Sequence, residues 1–199
     1  MNRSEPLSAG FTDPVHQAQA AFRGALQALS RPGIPVSVGT PVPGIALQPA
    51  LAHLLLTLTD DDTPVWWQQA DAGGAQWLRF HTGAPLATQP GDAAFAVLTD
   101  ATTLPALSRF NVGTGASPEF STTLLIEVPA LDGGPLTQWR GPGIRDAHEV
   151  RIAGLPDDFW TQWQINHAQF PQGVDVIFCC AGAALGLPRT TRVRTLEER

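Results

Sequence analysis

Three groups of side chains in this 199-residue chain have types and spacings that could do chemistry. The first is the run Asp60-Asp61-Asp62. It follows an apolar helical pattern, and negative charge at a helix C-terminus opposes the helix dipole by about a few tenths of a kcal/mol per exposed residue. Such a run either caps the following turn through one aspartate, or offers carboxylates to a metal ion, a sugar hydroxyl or a partner's arginine. The second group is Arg79 and His81, within Arg79-Phe80-His81-Thr82-Gly83. These two could hold an anion, or His81 could move a proton near neutral pH. A turn in which His81 bonds the backbone would use the same residues. The third is Arg189 and Arg192, within Pro188-Arg189-Thr190-Thr191-Arg192. Two guanidinium groups beside two hydroxyls could grip a phosphate or carboxylate bidentately, and an edge strand guarded by arginines would read the same way. These seven residues are the ligand-binding candidates. They complete no catalytic constellation, so no catalytic residue, metal site or cofactor is expected.

Other chemistry is excluded by what the chain lacks. All twelve basic side chains are arginine, so a phosphate-binding P-loop with its lysine cannot be present. Gly113-Thr114-Gly115 precedes a predicted strand instead of following one, the reverse of a dinucleotide loop. No G-x-S-x-G elbow occurs, and His148-Glu149 lacks the second histidine of the helical zinc-protease motif. Cys179 and Cys180 are adjacent, so in a strand their thiols face opposite ways and make poor co-ligands. They read as structural thiols.

Composition bounds the class. Hydrophobic residues make up 43% of the chain, enough for one substantial core, and charged residues only 15%. A freely exposed domain usually carries about 25% charged residues, so part of this surface is expected to be covered by a partner. The net charge of −6 argues against nucleic acid, which would require a basic patch. No apolar run reaches the roughly 18–20 residues that span a bilayer, and the N-terminus does not resemble a secretory signal. A cytoplasmic location with reduced thiols is the expectation.

The elements that must position the candidates follow from periodicity. Residues 1–12 are expected to form a loose tail. Asp13 then reads as an N-cap with Pro14 at the first helical position. Val15, Ala18, Phe22, Ala25, Leu26 and Leu29 recur at helical spacing up to Arg31-Pro32-Gly33. Leu51, Leu54, Leu55 and Leu58 predict a second helix. Strands are predicted near Val36–Val38 and at Val65–Trp67, Phe95–Leu98, Thr122–Val128, Leu136–Arg140, Glu149–Ile152 and Val174–Cys180, the last central in its sheet. Leu104–Phe110 reads as a short helix, Trp77–Phe80 as a short element of undecided type, and Asp157–His167 as a helix with Trp160 and Trp163 on one face. Trp66 and Trp67 must face opposite ways, which requires cover on both sides of their strand. The expected fold is α/β, with residues 13–199 as a single domain and a mixed β-sheet flanked by helices.

Seven segments in register carry a family resemblance: Ala21–Gly33, Leu54–Trp67, Leu78–Leu86, Val112–Val128, Arg140–Ile144, Phe170–Cys180 and Leu187–Val193. Over about residues 13–195 the chain resembles the PhnH family, subunits of the carbon–phosphorus lyase machinery; it departs from the family pattern at Leu29 and over Gln68–Gln76. The resemblance implies a core assembly with PhnG, PhnI and PhnJ, and a homodimer when the subunit is isolated. It implies that the G, H and I components, with a further subunit, attach a phosphonate to the ribose carbon of ATP and displace adenine. The product would be a ribose 1-phosphonate 5-triphosphate, whose carbon–phosphorus bond PhnJ breaks later. It also implies a fold similar to the large domain of pyridoxal-phosphate-dependent transferases. Without a Schiff-base lysine, that likeness can be architectural only.

The resemblance and the low charge content favour an accessory subunit without a self-sufficient active site. The alternative is direct participation, with Arg79, His81 or Arg189 binding triphosphate or phosphonate and one of Asp60–Asp62 holding ribose. A free-standing metal hydrolase built on Asp60–Asp62 and His81 would lack well-placed ligands.

Overall fold

The computed structural model describes residues 8–69 and 72–196. The chain opens with helix α1 (Pro14–Ser30), whose N-cap Asp13 accepts the His16 backbone N–H. There follow β1 (Val36–Ser37), α2 (Pro49–Leu58), β2 (Val65–Trp67), α3 (Ala72–Thr82), β3 (Phe95–Leu98) and β4 (Thr123–Glu127). The second half contains β5 (Thr137–Arg140), β6 (His148–Val150), α4 (Phe159–Ala168), β7 (Asp175–Cys180), β8 (Ala183–Leu187) and β9 (Arg192–Thr195).

The strands form a six-stranded sheet in the order β1-β8-β7-β4-β3-β2 and a three-stranded sheet in the order β6-β5-β9. In the larger sheet β2, β3, β4 and β7 run parallel; β8 adds antiparallel to β7, and β1 adds antiparallel to β8 at that edge. Its central strands are apolar on both faces, as buried parallel strands must be. One face packs Val65, Trp67, Val97, Leu125, Ile177 and Cys179 against the first three helices. The other packs Ala96, Leu98, Leu124, Ile126, Val176 and Phe178 against α4 and the small sheet. The fold is therefore a mixed sheet flanked by helices, with the small sheet completing one layer.

The two tryptophans of β2 divide as alternation requires. Trp67 is buried in the helical layer, and Trp66 meets Phe110 edge-on on the opposite side with ring centroids 5.8 Å apart. Trp66 is covered by the irregular chain between β3 and β4, where Leu104–Phe110, predicted as a short helix, keeps only a 3-10 turn at Leu107–Arg109. Trp77–Phe80 resolves into the last turns of α3. The strand β8 escaped prediction because Ala-Ala-Leu-Gly-Leu carries no β-branched or aromatic residue.

Residues 1–7 of the expected tail lie outside the described residues. Ser8 to Phe11 are tied down: the Trp77 indole N–H donates to the Ala9 carbonyl (3.2 Å), His81 Nε2–H donates to the Ser8 carbonyl (3.0 Å), and Phe11 packs edge-on against His53.

The burial of α1 has a specific cause. Its buried face is Ala21, Gly24, Ala25 and Ala28, because the helix backbone lies directly on β8. A Cβ added at Gly186 would stand 2.5 Å from the Ala28 carbonyl oxygen. Only small residues fit such an approach, so the larger apolar residues of the helix turn outward. Val15, Phe22 and Leu26 are 63%, 48% and 54% exposed. Gly186→Ala is expected to destabilise the fold by about 1–3 kcal/mol through overpacking, seen as a lower urea midpoint. An unchanged midpoint would mean that α1 can shift outward without loss.

Candidate functional site

The three groups singled out from sequence fall in different surroundings. Asp60–Asp62 form an exposed turn after α2: the Asp60 carboxylate accepts the Asp62 backbone N–H (3.1 Å) and the Thr63 hydroxyl. Asp61 packs against Gly83, at the end of α3. Arg79 and His81 lie exposed on α3, and His81 is occupied in holding the Ser8 carbonyl. Among the described residues, no group of three or more His, Cys, Asp or Glu side chains is arranged to hold a metal, and no helix is long and apolar enough to cross a membrane.

Arg189 is the most heavily bonded side chain of the candidates. Its backbone N–H (2.7 Å) and its Nε–H (3.2 Å) donate to the Asp175 carboxylate at the start of β7. One terminal nitrogen donates to the Pro118 carbonyl (2.8 Å), and the other to Ser121 Oγ and Asp175. The ion pair is largely buried, with the two side chains 13% and 21% exposed. The sequence offers this arginine as a gripper of phosphate or carboxylate; in the fold its donors are taken up by a carboxylate, a carbonyl and a hydroxyl of the protein itself.

The chain of contacts continues outward. The carbonyl of Arg189 can only accept, so His167 Nδ1 (2.8 Å away) carries the proton, leaving Nε2 to accept from Arg192 Nε–H (3.3 Å). Arg192 thereby faces a cleft between α4 and the β5–β9 ribbon. Two adjoining hollows of about 480 and 610 Å³ share Arg140, His167 and Arg192. Gln138, Gln164 and Arg194 extend one hollow; Thr190 and Phe170 extend the other.

Sequence reasoning named Arg192 here but missed Arg140, His167 and Arg194. They meet through strand register and a helix crossing, which residue spacing does not announce. Among the described residues no carboxylate lines either hollow, and none of the three arginines has an ion-pair partner. Glu149, paired with Gln138 on β6, shares this face of the small sheet one strand further from the cleft.

A second missed residue is Glu127, at the C-terminal end of central strand β4. Its carboxylate accepts the backbone N–H of Gln48 at 2.6 Å, capping the start of α2 from a distant strand. Burial pushes the Glu127 carboxyl above its ordinary range, partly offset by that N–H. Beside it in register, burial raises the Cys179 thiol strongly, and the neighbouring Glu127 and Cys180 add to the effect. A thiol so disposed stays protonated and is no nucleophile. Cys180 points to the other face, as strand alternation predicts, with its thiol toward the Pro129 carbonyl.

Comparison with known proteins places these features in a relationship. Residues 9–194 match the family model described as "Bacterial phosphonate metabolism protein (PhnH)". The "Alpha-D-ribose 1-methylphosphonate 5-triphosphate synthase subunit PhnH" of Rhizobium meliloti (strain 1021) is 39% identical over 194 residues, covering 96% of this chain and 97% of the relative. The "Putative C-P lyase subunit protein HtxG" of Stutzerimonas stutzeri is 30% identical over 177 residues, covering 88% and 85%.

Two outcomes test this geometry. Arg189→Ala leaves the Asp175 carboxylate unpaired, and for this incompletely buried pair the expected loss is about 2–4 kcal/mol, read from chemical denaturation. Stability within experimental error of wild type would remove Arg189 from its bracing role. For Glu127, a folded pKa above the ordinary 4.5 means that the native state binds the proton more tightly than the unfolded chain. Its contribution is therefore most favourable at low pH and declines as pH rises through the folded value. Subtracting the stability profile of Glu127→Gln from that of wild type should leave a difference that falls as pH rises above 4.5. A flat difference would show that burial does not govern this carboxyl.

Proposed function

Because the chain belongs to the PhnH family of bacterial phosphonate metabolism proteins, we propose that it is an accessory subunit of the carbon–phosphorus lyase core complex. In this reading it is required with PhnG and PhnI, in the cytoplasm, to form ribose 1-phosphonate 5-triphosphate from ATP and a phosphonate. PhnJ is a further neighbour, and the isolated subunit pairs with a second copy. The likeness to the large domain of pyridoxal-phosphate-dependent transferases is part of the same proposal, as architecture without the lysine.

The observation that supports contact over chemistry is the outer face of α1. Val15, Phe22 and Leu26 are all about half exposed or more. Their spacings of seven and four residues put them on one line along the helix. Scattered exposed apolar residues require no explanation, but an aligned set on a helix is a docking pattern. The helix cannot bury them by rolling over, since its small-residue face is held against β8.

The decisive experiment is reconstitution. With PhnG, PhnI and the further subunit purified, omission of this chain should abolish formation of the ribose phosphonate. The double variant Phe22→Asp/Leu26→Asp should fail to co-purify with the assembly. Its thermal unfolding should stay close to wild type, since exposed substitutions usually cost within about 0.5 kcal/mol. Full-rate synthesis without this chain would overturn the accessory role, and normal co-purification of the double variant would clear α1 of it.

A further inference from the structure

The cleft between α4 and the β5–β9 ribbon has a charge arrangement that the fold does not require. Arg140 and Arg192 are direct cross-strand partners in the β5–β9 ladder, and Gln138 pairs with Arg194 in the same ladder. Like charges directly opposite one another destabilise a strand pair. Among the described residues no carboxylate lines the cleft, and Glu149, on the same face beside Gln138, forms no ion pair with these arginines, although the chain as a whole carries a net charge of −6. Three exposed arginines are thus concentrated on one face of a two-strand ribbon in an acidic protein.

The orientation of one of them is built in. His167, fixed in its tautomer by the Arg189 carbonyl, accepts from Arg192 Nε–H, and among the described residues the terminal guanidinium nitrogens of Arg192 have no partner. The Arg140 Nε–H is likewise directed by Gln138 Oε1 at 3.3 Å. Two guanidinium groups, each held through Nε, thus line one cleft, and Arg194, two residues along β9, lines it as well. The Gln164 amide and the Thr190 hydroxyl line the same cleft and add neutral hydrogen-bonding capacity. An anion that engages such a row must carry several charges in a line and many acceptor oxygens.

We propose that this cleft binds an oligophosphate chain, as found in a nucleoside triphosphate or in inorganic tripolyphosphate. The site would relieve the Arg140–Arg192 repulsion only when filled, so occupancy stabilises the ribbon. Single orthophosphate reaches too few of the arginines to bind comparably. The inference concerns this chain by itself and does not depend on the role of α1 in assembly.

The test uses the full chain, with ATP, inorganic tripolyphosphate and orthophosphate titrated calorimetrically at low ionic strength. ATP and tripolyphosphate should bind with similar affinity, and orthophosphate at least tenfold more weakly. Arg140→Gln and Arg192→Gln should each weaken both triphosphates on the order of 10- to 100-fold, the loss expected for one charge-assisted contact. Circular dichroism and the urea midpoint of the free protein should hold or improve, since each change removes a repulsion. His167→Ala should weaken binding less, and His167→Gln, which keeps an acceptor for Arg192, should restore it. Failure of both triphosphates to bind would overturn the proposal, as would binding indifferent to the two arginine substitutions. Binding of ATP without tripolyphosphate would overturn it too, by assigning recognition to the nucleoside. If neither anion binds but Arg140→Gln blocks co-purification with PhnG and PhnI, the cleft receives an acidic segment of a partner and the proposal is equally overturned.

Discussion

The brace between Arg189 and Asp175 is the constraint on which the second half of the molecule depends. Asp175 opens β7, a central parallel strand. The guanidinium that meets it also holds the Pro118 carbonyl and Ser121, in the loop that enters β4. One side chain therefore fixes where two adjacent strands begin. Removing either partner would leave a largely dehydrated charge, which costs far more than the pair gains over a well-packed apolar substitute. The brace is thus better regarded as a device for register than as a source of net stability. Its backbone completes the function, because the Arg189 carbonyl sets the tautomer of His167 and so the aim of Arg192. A buried pair and an exposed cleft are two ends of one chain of hydrogen bonds.

The other side of the sheet obeys a steric rule in place of an electrostatic one. At β8 the helix backbone comes so close that Gly186 and the alanines of α1 are the only sizes that fit. Small residues in contact mean that the larger apolar residues of the helix have nowhere to go but outward. The same close approach that stabilises one layer therefore creates the apolar line on its surface. Tight packing inside and an available contact face outside are consequences of one choice of side-chain size.

Much of this was legible in the sequence. Helix α1 with its Asp13–Pro14 start, the strand at Phe95–Leu98 and the central strand ending at Cys180 all carry strong periodic or β-branched signals. The alternation argument for Trp66 and Trp67 holds because it follows from backbone geometry alone. The failures have definite causes. Strand β8 is written in residues of low β-propensity and forms because β7 pairs with it. The stripe of α1 marks a helix but not which side is buried, since burial was decided by Gly186, more than 150 positions away in sequence. The candidate site divides in the same way. The sequence offers the arginines near residue 190 either as anion grippers or as guards of an edge strand, and only the fold reveals that Arg189 is occupied internally while Arg192 is exposed on β9.

The use of arginine for every basic position sharpens the contrast between those two residues. A lysine at 189 could make one strong contact as a point charge, but it could not serve Asp175, Ser121 and the Pro118 carbonyl from fixed directions. A lysine at 192 could not be held through one nitrogen by His167 while offering others to the cleft. Both positions exploit a planar group with several donors, one by exhausting the donors within the protein and the other by leaving some unspent. A chain with no lysine has given up the Schiff-base and amine chemistry of that side chain. What it retains is the directional donor geometry of arginine, some of it turned inward to fix the fold and the remainder presented on a ribbon where two like charges face each other across a ladder.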